Sequence, residues 1–141
     1  MNYPIEHLHE DEDDGTMPDN VADLTEAVVG RRIVTAEKKV ADRVGRDWDE
    51  GLILTLDDGT QVRLINTDDC CAHTTLDAFL LHPERVDHII TGVGTTEGYT
   101  KWHIYADMGD VLELEVGWSP GNPFYYGYGF DIKVVPIEAS V

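Results

Sequence analysis

Cysteine is nearly absent from this chain: two residues, adjacent at Cys70 and Cys71, in 141. That excludes a disulfide framework. Basic residues are scarce as well, with 10 Lys and Arg against 28 Asp and Glu and a net charge of −18. A field of that sign repels phosphate backbones and anionic headgroups, so neither direct nucleic-acid binding nor membrane binding is expected. A protein with a basic surface is the natural partner. No apolar run approaches the roughly 20 residues needed to span a bilayer. The opening MNYPIEHLHEDEDD lacks the basic and apolar regions of a signal peptide, and a reducing cytoplasm is the expected compartment. Phosphate-cradling glycine loops are missing too. Gly92-Val93-Gly94 has no helix after it and no lysine in place, and no cofactor is expected.

What is present divides into an acidic stretch and a β-rich remainder. Residues 1–19 hold Glu6, Glu10, Asp11, Glu12, Asp13, Asp14 and Asp19 and no Lys or Arg; such a block repels itself and buries nothing, so it reads as a flexible tail. Residues 20–141 read as one domain. Asp19 or Asn20 as N-cap and Gly30 after the end delimit a helix over residues 21–29, with Val21, Leu24, Ala27 and Val28 on one face. Arg31 and Arg32 suit the negative end of its dipole. Residues 33–40 read as a first strand, and residues 41–50 as a charged turn region anchored by Trp48.

Two hairpins carry the strongest local signal. Over residues 52–65, a three-residue loop Asp57-Asp58-Gly59 sets Leu52 opposite Leu64 and Leu54 opposite Val62. Ile53 then faces Arg63, and Thr55 faces Gln61. A slip of one residue would turn the apolar face outward. Over residues 101–116, the loop Asp107-Met108-Gly109 pairs Trp102 with Leu114 and Ile104 with Leu112. The other face then pairs Lys101 with Glu115 and His103 with Glu113. Between the hairpins, Thr74 or Thr75 caps a helical turn over residues 76–81 that Pro83 ends, and residues 87–93 form a strand. Gly92, Gly94 and Gly98 punctuate the loop before Tyr99.

The C-terminal stretch GWSPGNPFYYGYGF, residues 117–130, has Phe124, Tyr126, Tyr128 and Phe130 at alternate positions. They share one face of a strand that continues through residues 132–135. Gly127 and Gly129 on the other face mark a place where another group comes close. The expected fold is mainly β (α+β): a curled antiparallel sheet or small β-sandwich with one short N-terminal helix and a second helical turn. Its core includes Leu54, Val62, Leu64, Ile90, Trp102, Ile104, Leu112, Leu114, Phe124, Tyr126 and Phe130.

Candidate chemistry is sparse. In Asp68-Asp69-Cys70-Cys71-Ala72-His73, the residues Cys70, Cys71 and His73 are of metal-ligating type, but adjacent cysteines do not easily reach one tetrahedral ion. With His103 they define one alternative, a small metal- or thiol-dependent enzyme. Trp118, Tyr125 and Tyr128 form a candidate aromatic binding patch, because Tyr and Trp anchor protein interfaces. The leading expectation is a non-enzymatic protein that binds a partner through its acidic surface, in a sharper form as a DNA mimic. Self-assembly through edge strands or aromatics is a third reading.

The segments Asp69-Cys70-Cys71-Ala72, Val86-Asp87-His88-Ile89-Ile90-Thr91-Gly92-Val93, Trp102-His103-Ile104-Tyr105-Ala106-Asp107 and the glycine–aromatic stretch 117–130 together resemble an uncharacterised domain family of actinobacteriophages, such as mycobacteriophages, and actinobacterial genomes. The resemblance covers residues 28–135 and omits the acidic tail. It implies a phage or prophage accessory protein acting on a host protein in an actinobacterial cytoplasm, where such proteins are sometimes toxic to the host. The family has no assigned function, so no catalytic residue carries over.

Overall fold

The computed structural model describes residues 16–39, 50–68, 73–119 and 129–136. One helix, α1 (Thr16–Val28), precedes nine strands in two antiparallel sheets. The first sheet has the order β1 (Ile33–Lys39), β2 (Gly51–Leu56), β3 (Gln61–Ile65) and β9 (Asp131–Val135). The second runs β4 (Thr67–Asp68), β5 (His73–Leu81), β8 (Gly109–Ser119), β7 (Lys101–Ala106) and β6 (Gly92–Thr96). A single apolar core takes Leu52, Leu54, Val62 and Leu64 from the first sheet and Trp102, Ile104, Leu112 and Leu114 from the second. The mainly β architecture expected from the sequence is the one observed.

Both hairpins pair in the expected register. Leu52 faces Leu64 and Leu54 faces Val62, and Trp102 faces Leu114 while Ile104 faces Leu112. The loop after β2 is the three-residue form: the Leu56 N–H donates to the Thr60 carbonyl at 2.9 Å, and Gly59 takes φ +88°, a conformation open to a residue without Cβ. The loop after β7 differs from expectation. Ala106 faces Gly109 and Tyr105 faces Asp110, so the turn is Asp107-Met108 alone, and the extra residue lies inside β8 at Val111.

Helix α1 begins earlier than expected, and Met17, Leu24 and Val28 are fully buried along it. It packs against β6 of one sheet and β9 of the other. Asn20 therefore lies inside the helix rather than capping it. Its amide donates to the Phe130 carbonyl at 2.8 Å and its carbonyl accepts the Phe130 N–H at 2.9 Å. Thr74 and Thr67 complete this clasp, Thr74 accepting the Gly129 N–H and Thr67 donating to the Gly129 carbonyl, both at 2.6 Å. A Cβ on Gly129 would lie 3.1 Å from the Asn20 side chain, which is the close approach its sequence position suggested.

Three further expectations are corrected. Residues 76–81 are strand, not a helical turn: β5 pairs along β8 with a bulge between Leu76 and Ala78, and Pro83 opens a short 3-10 helix, Pro83–Arg85, instead of ending one. The strand expected at residues 87–93 starts at Gly92, so Gly92 and Gly94 belong to β6 rather than to a loop. Phe130 is buried edge-on to Trp102, ring centroids 5.4 Å apart, but it precedes β9, which starts at Asp131. Trp48, Phe124, Tyr126 and the other ring positions of residues 120–128 lie outside the described residues, as do residues 1–15.

Candidate functional site

The outward face of the five-stranded sheet brings His82 and His103 together with the carboxylates of Asp110 and Glu113. β7 alternates: Trp102, Ile104 and Ala106 are fully buried, which turns Lys101, His103 and Tyr105 to the other face. On β8, Glu113 and Glu115 face outward opposite His103 and Lys101. Asp110 is three residues from Glu113, an odd spacing that would place the two carboxylates on opposite faces of a regular strand. The bulge cancels the mismatch. Val111 and Leu112 are both fully buried, and Asp110 returns to the face of Glu113 and His103. Bulges re-aim side chains in this way.

His103 is 7% exposed and bonded at both nitrogens. Nδ1 lies 3.0 Å from Asp110 Oδ2, and Nε2 lies 2.8 Å from Thr96 Oγ1. A carboxylate only accepts, so Nδ1 carries the proton toward Asp110; in the neutral ring Nε2 then accepts from the Thr96 hydroxyl. Glu113, on the same face, also bonds His82, whose Nε2 is 2.6 Å from Glu113 Oε2. His82 is placed by its own N–H, which donates to the Val111 carbonyl at 2.8 Å. Arg85 then donates to the Asp110 carbonyl at 3.0 Å. Beyond His82, the Glu84 carboxyl is held below the usual carboxylate range, first by its own backbone N–H and then by Arg85 and His82. A cleft of about 260 Å³ borders His103 and Glu113, floored by Ala78, Phe79 and Leu114.

Hydroxyl, imidazole and carboxylate stand in the order of a nucleophile–base relay. The cleft, however, is lined by His103 and Glu113 and not by Thr96 or Asp110, so the hydroxyl does not face the space a substrate would fill.

The residues singled out from sequence do not form one site. His73 faces Ser119 while His103 faces Glu113, six positions along β8, on the order of 20 Å at strand rise. Cys70, Cys71, Tyr125 and Tyr128 lie outside the described residues. Trp118 is half-buried on β8; its indole N–H donates to the Gly98 carbonyl at 2.8 Å and its ring meets Tyr99 edge-on at 6.2 Å. Asp110, and the pairing of His82 with Glu113, were missed from sequence. The two-residue spacing that identified His103 and Glu113 cannot find a residue displaced by a bulge or one brought in by long-range pairing.

A second concavity, about 560 Å³, lies between α1 and the first sheet. Ala27, Val29, Leu56, Ile132 and Val134 supply its apolar surface, and Asp23, Glu26 and Asp58 its carboxylates. Val29 and Val134 are 41% and 52% exposed. Arg31 is the cation of the rim and pairs with Asp58 at 3.4 Å. The Asp58 carboxyl is lowered chiefly by the Thr60 N–H at 2.9 Å, then by the Thr60 hydroxyl and Arg31, and so stays charged.

These features define, among the described residues, an acidic, two-sheet antiparallel β domain with one α-helix packed on the edge strands β6 and β9. The chain belongs to a family described as a domain of unknown function (DUF7448), matched over residues 26–132. No curated protein and no solved structure matches it. Among the described residues, no helix is long and apolar enough to cross a membrane.

Proposed function

We propose that this is a non-enzymatic accessory protein of an actinobacteriophage or prophage, and that it binds and modulates a basic host protein in the host cytoplasm. The observation that carries the reading is the groove between α1 and the first sheet. Exposed Val29 and Val134 offer apolar contact there, and Asp23, Glu26 and Asp58 surround it. A complementary segment carries Lys or Arg around apolar anchors: the charges steer the encounter and the buried apolar contacts hold it. The net charge of −18 extends the steering field over the whole molecule. The phage and host assignments draw on the family resemblance of the sequence motifs.

The test is capture from actinobacterial lysate with the wild-type chain, with Asp23→Lys/Glu26→Lys, and with Val134→Ser. The reading expects a partner that dissociates as salt is raised and is lost by both groove variants. A partner retained by both, or no partner at all, overturns it.

A further inference from the structure

We propose that the outer face of the five-stranded sheet binds one divalent first-row transition-metal ion, such as Zn²⁺, through His103, Asp110 and Glu113. This site is separate from the groove and does not depend on the partner-binding reading. One ligand atom from each of the three residues lies within 4.8 Å of the other two. A tetrahedral ion with bonds of about 2.1 Å spaces its ligands about 3.4 Å apart, a closure that side-chain rotation on one sheet face supplies.

Hydrogen-bond valence makes room for the ion. His103 Nδ1 and Asp110 Oδ2 stand 3.0 Å apart. Two acceptor lone pairs cannot face each other at that distance without a positive centre between them, and in the ion-free protein the centre is the Nδ1 proton. The Thr96 hydroxyl at Nε2 can either donate or accept. Moving the ring proton to Nε2, with Thr96 as its acceptor, frees the Nδ1 lone pair for a metal. Handing the second ring N–H to a neighbouring oxygen is what ligating histidines do. On the other side, His82 fixes the Glu113 carboxylate at 2.6 Å, so two of the three ligands already have the outer partners that orient metal ligands. The bulge at Val111 puts Asp110 on this face at all.

The donor set selects the ion. One imidazole and two carboxylates suit Zn²⁺, Mn²⁺ or Fe²⁺ better than Ca²⁺, which takes oxygen throughout. Three protein ligands leave a fourth position for water, beside the cleft that His103 and Glu113 border.

The experiment is calorimetric titration of the full chain with ZnCl₂ in 150 mM salt, on the wild type, Cys70→Ser/Cys71→Ser, Asp110→Asn, Glu113→Gln and Thr96→Val, with circular dichroism confirming each fold. The expected result is one ion per chain for wild type and the serine pair alike, about tenfold weaker binding for T96V as an outer-partner change, and a larger loss for D110N and E113Q. Because His103 is buried, the ligand test rests on Glu113, whose side chain is 34% exposed. The proposal fails if the wild type binds no stoichiometric ion, if folded E113Q binds like wild type, or if the serine pair abolishes binding.

Discussion

The two central hairpins begin from the same sequence device and end with different surfaces. In β2–β3 the irregularity sits at the turn, on Gly59, and every pair from Thr55–Gln61 to Gly51–Ile65 alternates without interruption. Its outward side chains simply follow the pleat. In β7–β8 the turn is tight and the extra residue has moved into the strand at Val111. One added position there brings Asp110 beside His103 and Glu113. A hairpin that only encloses a core is best left regular, whereas one that must converge three polar groups needs its phase shifted once.

Deleting a residue from each hairpin is the sharpest way to break the comparison. Removing Val62 turns the rest of β3 over and exposes Leu64; loss of cooperative unfolding by circular dichroism is the expected outcome. Removing Val111 should leave a folded protein, because it regularises a ladder that already holds Asp110 and Glu113 outward, at a cost near the burial of one valine, about 2 kcal/mol. If both deletions behave alike, the bulge is not the difference. Trp102→Ala is next, at about 4 kcal/mol in urea denaturation, since the fully buried indole meets Phe130 and donates to the Tyr99 carbonyl at 3.0 Å. Gly51→Ala, at the start of β2, should cost about 3 kcal/mol: Gly51 has φ +152°, and an added Cβ would collide with the Leu64 carbonyl. A near-neutral result would show that β2 shifts to relieve it.

The smallest effect is on acid stability. Asp58, at the loop of the first hairpin, and Glu84, beside the second, both have lowered carboxyl values. The stability each adds is present above the ordinary carboxylate pKa of about 4 and lost as pH falls through the lower folded value. The melting temperature should decline below about pH 4, and Asp58→Asn should soften that decline. An unchanged acid limb in Asp58→Asn would remove Asp58 from the account.

Both hairpins were legible because their contacts are local and their apolar residues, Val111 apart, keep a period of two. The segment Leu76-Asp77-Ala78-Phe79-Leu80-Leu81 was not, because the bulge after Leu76 breaks that period and leaves an apolar run that imitates a helix. Asn20 looked like a cap by residue type and helix position; its real partner, Phe130, lies 110 residues away. The candidate metal site was half visible for the same reason. His103 and Glu113 follow from local pairing. Asp110 needs the bulge, and His82 needs β5 to lie beside β8, a contact between distant segments that no local pattern records.

The Asn20 clasp also constrains how a nascent chain acquires this structure. The helix synthesised first finds its hydrogen-bond partner only when Phe130 has been made, and the first sheet gains its fourth strand only then. Domains built on such distant contacts fold late and slowly. Until β6 is made the helix carries Met17, Leu24 and Val28 uncovered, and a translation product interrupted before residue 92 would take that apolar stripe into the cell.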